Sequence, residues 1–146
     1  MDSGFLLARI AEAFPPIPAP YAAELLGETS YPAGESELQE IQEFFANRPW
    51  SDVTPADVFR FRLALPLFSW RALAYYSAAW MTCCLQDYDA VDTAPDDMIF
   101  NFERADPNLW TRNQRCVISL WADCMKLALP ERARGDYERV AQKFRG

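Results

Sequence analysis

The chain has 146 residues, 51% of them hydrophobic and 24% charged, a length and balance that suit one globular core and argue against disorder. Its net charge is −7, and it has no histidine; an acidic chain without a basic stripe is repelled by nucleic acid, which excludes that class of partner. The charge is uneven: residues 1–54 hold nine acidic and two basic side chains, whereas residues 55–146 hold twelve of each.

The start, Met1-Asp2-Ser3-Gly4, lacks the basic region of a secretory signal. Helical signals follow in order. Ser3 to Phe14 places Phe5, Leu6, Ile10 and Phe14 at helical spacing and stops at Pro15-Pro16. Residues 15–20 hold four prolines and form a stiff, extended connector. Tyr21 to Leu26 reads as one short helix ended by Gly27. Ser36 to Asn47 is an amphipathic helix opened by a Ser36/Gln39 capping box, with Leu38, Ile41, Phe44 and Phe45 on one face.

Thr54-Pro55 opens the next helix, which runs to Pro66. Leu67 to Leu85 is apolar nearly all round and predicts a central helix buried on several sides. The stretch from Leu63 is long enough to cross a membrane, but Arg71 near its middle argues for a buried helix in a soluble, cytoplasmic protein. Thr93 and Pro95 start a short helix carrying Met98, Ile99 and Phe102. Thr111 with Gln114 makes a second capping box, and a basic amphipathic helix runs from Glu131 to Phe144. The expected fold is all-α: a compact single domain over residues 1–146, with five to seven helices around the 67–85 helix.

The lack of histidine removes Ser-His-Asp and Cys-His nucleophiles, the HExxH zinc motif and the Glu-x-x-His di-iron bundle together. No catalytic motif remains legible, and no metal or other cofactor is expected. Cys83 and Cys84 are adjacent in an apolar run, while Cys116 and Cys124 sit eight apart on a predicted helix, about 12 Å along its axis. Four reduced, mostly buried thiols are expected rather than a disulfide framework.

Two acidic clusters are candidate contacts for a basic protein partner. Glu37, Glu40 and Glu43 recur every third residue on the outer face of their helix; a solvated face, a contact surface and a metal site are the readings of that spacing, in that order. Asp87, Asp89, Asp92, Asp96 and Asp97 form the denser cluster. They lack the Gly and terminal Glu of a calcium loop and read as helix-start carboxylates with a solvated loop, or as a docking surface. Arg71 is the one charge on the central helix, with Tyr75, Tyr76 and Trp80 a turn beyond it. It is expected either to pair with a carboxylate from another segment or to face a pocket for an anionic ligand lined by these aromatics. The basic last helix is expected to fold against the acidic N-terminal half.

Thr54-Pro55, Phe59, Leu65-Pro66-x-Phe68, Phe102 and Leu109-x-Thr111-x-x-Gln114-x-x-Val117 follow one another in an order that resembles a bacterial family of small all-helical proteins of unknown function. The resemblance runs from Thr54 to Trp121 of the 146 residues. It implies an all-helical fold, no activity and no functional residue. The function expected from these readings is a non-enzymatic binding module, most concretely an immunity- or antitoxin-like inhibitor that masks a basic toxin. The second expectation is the small-ligand pocket at Arg71.

Overall fold

The structure is a computed structural model that describes residues 3–27 and 33–146; Asp2 and Glu28, part of the acidic count, lie outside the described residues. Seven α-helices occur among them, with no strand: α1 (Ser3–Ala13), α2 (Glu35–Phe45), α3 (Pro55–Arg60), α4 (Trp70–Gln86), α5 (Ala94–Arg104), α6 (Arg112–Lys126) and α7 (Gly135–Arg145). Short 3₁₀ turns join several of them. The fold is an all-α bundle, and none of its helices is long and apolar enough to cross a membrane.

Local chemistry explains several boundaries. Thr54 Oγ1 accepts the Asp57 amide at 3.2 Å and Asp57 Oδ2 accepts the Thr54 amide at 3.0 Å, so α3 opens on the expected cap with Pro55 next. Thr111 and Gln114 repeat this exchange at α6. Thr111→Ala removes the cap from an amide that has no other helical partner and is expected to cost about 1 kcal/mol. Chemical denaturation checks this; an unchanged midpoint contradicts it. Asn47, at φ 58°, turns the chain out of α2 in the left-handed region that asparagine tolerates, and its amide reaches Pro20 O at 2.8 Å.

Other boundaries differ from expectation for non-local reasons. Helix α4 starts at Trp70 rather than Leu67, because Phe68 forms an isolated antiparallel bridge with Leu26. Gly27 N meets Leu67 O at 3.1 Å and Ser69 N meets Leu25 O at 2.7 Å. Gly27 therefore ends no helix: a Cβ there would lie 3.1 Å from both Phe68 O and Ser69 Cα, so any larger residue would have to push this backbone back by a few tenths of an ångström. Residues 21–26 hold only a 3₁₀ turn, Ala22–Glu24. The Ser36/Gln39 box does not form, since Gly34 is the cap and Ser36 lies inside the first turn. Helix α3 stops at Arg60, short of Pro66, and the final helix is split by a 3₁₀ turn, Glu131–Ala133, ahead of α7.

One buried cluster takes residues from all seven helices, with α4 at its centre. From Ala72 to Cys84 this helix buries Tyr76, Ser77, Ala78, Ala79, Trp80 and Met81 in succession, as its all-round apolar pattern requires. Indole rings fill space and also satisfy carbonyls: Trp50 Nε1 donates to Phe14 O at 2.9 Å, Trp110 Nε1 to Ala74 O at 3.1 Å and Trp121 Nε1 to Met81 O at 3.2 Å. Trp80 differs, its Nε1 buried with no hydrogen-bond partner among the described residues.

Among the described residues, the basic last helix makes no ion pair with the acidic N-terminal half. Lys143 Nζ instead closes the C-terminal end of α5, donating to Phe102 O at 2.9 Å and to Glu103 O and Ala105 O, each at 2.7 Å. A cation there offsets the unpaired carbonyls and negative end of the helix dipole. Arg139 pairs with Glu103 and Asp136, and Arg145 reaches Asp123 at 3.5 Å.

Candidate functional site

Helix α4 ends at Asp87, and the chain turns through residues 87–93 before α5 begins. Asp87 Oδ1 accepts the Ala90 amide at 3.2 Å, and Asp92 takes the left-handed conformation at φ 53°. These local demands explain aspartates at a helix exit and at a helix start. Asp87, Asp89, Asp92 and Asp96 are exposed and Asp97 is half-buried. Among the described residues none of the five makes an ion pair. Glu37 and Glu43 also lack one; what sets these five apart is that they lie within eleven consecutive residues.

Crowding has a consequence at Asp97. Burial pushes its carboxyl above the ordinary value of 3.8, and Asp96 and Asp92 push the same way, against the Thr93 hydroxyl bond at 3.0 Å and Arg62. A raised folded value means that folding takes up a proton. This group's contribution is therefore fully present below the unfolded value and is lost as pH rises through the folded one. Asp97→Asn is expected to flatten that part of the pH profile and to be the more stable chain above it. Melting temperatures of both chains across the acidic range check this; parallel profiles contradict it.

The cluster continues into a groove of about 420 Å³ between α5 and the start of α7. Asp96, Glu103 and Asp136 supply its carboxylates, the latter two already paired with Arg139, and Phe100, Leu129 and Tyr137 its apolar wall. Tyr137 donates its hydroxyl to Asp96 Oδ1 at 2.5 Å, and burial, followed by that bond to Asp96, raises its pKa. Phe100 is 59% exposed although it lies on an otherwise well-buried amphipathic helix. Tyr88, at the loop, feels both Asp96 and Asp89 after its own burial. Sequence reasoning missed Glu103, Asp136, Phe100 and Tyr137; the legible signal was a phenylalanine at the outward position four residues after Asp96.

In the other acidic cluster one of the three carboxylates, Glu40, has an ion pair, and Glu37 and Glu43 have none among the described residues. Glu40 pairs with Arg60 at 2.7 Å and Glu43 accepts Gln39 Nε2 at 3.0 Å, while Arg60 and Arg62 line a small cleft with Glu37 and Glu40. Among the described residues no three Cys, Asp or Glu side chains converge as a metal ion would need.

The Arg71 constellation is only half as expected. Because α4 begins at Trp70, Arg71 stands in its first turn, half exposed, with Nε 2.8 Å from Glu24 Oε2. Arg71 and Tyr75 do line a cleft, of about 460 Å³. Tyr76 and Trp80 do not. They face the core, where Tyr76 donates to Phe45 O at 2.6 Å and Trp80 lies 6.0 Å from Phe68, ring to ring. A helix turns 100° per residue, so neighbours such as Tyr75 and Tyr76 must diverge.

No family model, curated protein or solved structure matches this chain.

The cysteines add no nucleophile at the site. Cys83 donates to Val53 O at 3.4 Å, and burial lifts its thiol to about 12; burial also holds Cys84 well above its ordinary value. Cys116 is exposed, contrary to the expectation of mostly buried thiols, and Cys124 is intermediate. A thiol reagent added to the native protein is expected to label Cys116 fast, Cys124 more slowly, and Cys83 and Cys84 only on unfolding. Rapid labelling of four thiols in the native state contradicts this.

Proposed function

We propose that the chain is a non-enzymatic binding module whose Asp87–Asp97 face, continued by the Asp96–Glu103–Asp136 groove, engages and masks a basic protein partner. The observation that carries this reading is five neighbouring carboxylates without an ion pair, beside a groove with an exposed phenyl ring. By contrast, the Glu40 carboxylate of the second cluster is met by Arg60.

Unpaired surface carboxylates repel one another, and a cationic surface relieves that repulsion while steering encounter. Phe100, whose ring already has Arg104 over it at 5.4 Å, offers its other face, and Tyr88 offers its ring, to Lys or Arg side chains, a contact that strengthens as water leaves. In its most concrete form the partner is a cationic toxin and the chain an immunity-like inhibitor. A reducing, cytoplasmic setting fits the four free thiols.

Affinity capture from a native lysate at low and at high salt, with mass-spectrometric identification, tests this reading. One basic protein retained at low salt and lost at high salt is expected, because an exposed charged interface is screened by salt. Retention of no basic protein, or retention insensitive to salt, overturns it.

A further inference from the structure

The cleft at Arg71 shares no residue with the acidic groove and has the opposite character. Its walls come from the proline-rich segment, the first turns of α4 and the loop before α6: Phe14, Ile17, Pro18, Trp70 and Leu109 make it apolar. Ile17 is 72% and Trp70 51% exposed, so two large apolar side chains meet water at its mouth. No carboxylate lines it. A volume of about 460 Å³ falls within the ~300–1,000 Å³ of small-molecule sites.

Its polar groups can be accounted for one by one. Tyr75 Oη accepts the Trp50 amide at 2.9 Å and donates to Pro16 O. Gln114 accepts the Thr111 amide at 3.0 Å and donates to Ala13 O at 3.2 Å. Both side chains are thereby committed to the fold. Arg71 is the exception. Its guanidinium has five N–H donors, and its only partner among the described residues is Glu24, which meets Arg71 Nε through Oε2 and accepts the Tyr21 amide at 3.2 Å through its other oxygen, Oε1. One carboxylate takes at most two of those donors in a fork, so others are left for a ligand.

We infer that this cleft binds an amphipathic monocarboxylate, an acid with an aromatic or branched apolar body. The body covers Trp70 and Ile17 and removes their surface from water, while the carboxylate takes the remaining donors of Arg71 in charge-assisted bonds. Glu24 beside the guanidinium decides the charge. It leaves room for one negative group and repels a dianion such as a phosphate monoester.

Calorimetric titration with naphthoate, and with the uncharged naphthamide, tests the inference on the intact chain. Saturable naphthoate binding is expected, weaker by about tenfold or more for the amide and for Arg71→Met, the loss of one charged bond. Glu24→Gln keeps an acceptor for the Tyr21 amide but removes the competing charge, and is expected to tighten naphthoate binding several-fold. Circular dichroism confirms that both variants fold. Equal binding of acid and amide, binding indifferent to Arg71→Met, or no binding by the wild-type chain up to the solubility of naphthoate overturns the inference. None of these results bears on the acidic face, which lies on other residues.

Discussion

Replacing Phe45 with Ala is expected to lower the free energy of unfolding by about 3–5 kcal/mol. Phe45 is fully buried at the end of α2, and its ring centroid lies 5.2 Å from those of Phe61 and Phe68, 5.0 Å from Tyr76 and 6.1 Å from Trp80. It therefore joins α2, the turns after α3 and the central helix. Truncation removes its transfer energy and opens a cavity that rigid neighbouring rings cannot collapse into, and it forfeits several edge-to-face pairs. Against a typical total of about 5–15 kcal/mol the loss is severe. Denaturant titration followed by tryptophan fluorescence measures it. Phe100→Ala is the control, an exposed position expected to change stability by less than about 0.5 kcal/mol. A loss at Phe45 no larger than at Phe100 contradicts the placement of the core.

Reversing Asp87, Asp89 and Asp92 to Lys is expected to slow association with the basic partner about tenfold or more at low salt. Charge complementarity raises on-rates by roughly 10–10³, and here three unpaired carboxylates become three cations. The difference should shrink with salt, since the screening length falls from ~10 Å at 0.1 M to ~3 Å at 1 M. Helix content should change little: all three side chains are exposed, and the local losses are the Asp87 bond to the Ala90 amide and the left-handed turn at Asp92, which lysine tolerates less well than aspartate. Stopped-flow association with the captured partner measures this. Association unaffected by the reversal, or equally fast for the wild-type chain in high salt, removes the loop from the mechanism.

The parts of the fold that were legible in the sequence rest on local chemistry. The Thr54 and Thr111 caps were readable because donor, acceptor and helix start all lie within four residues. The start of α4 was not, since it depends on Leu26, some forty residues earlier in the chain, pairing with Phe68. Arg71 pairs with a carboxylate of another segment, Glu24, as expected, but that displacement changes where it stands on the helix. Its apolar neighbours suggest a buried mid-helix charge, whereas a helix that begins at Trp70 puts it in the first turn at the surface. The aspartate loop could be read directly as a run of like charges. Its extension into a groove could not, because Glu103 and Asp136 come from α5 and α7 and meet only through tertiary contact.

Side-by-side capture with three baits tests the central claim most directly: the wild-type chain, the Asp87/Asp89/Asp92 reversal, and a Glu37/Glu40/Glu43 reversal of equal charge. The account expects one basic protein on the wild-type bait at low salt, its loss from the aspartate variant and its retention by the glutamate variant. Equal loss from both variants would reduce the interaction to net charge, and retention by the aspartate variant would place the interface elsewhere; either contradicts the account.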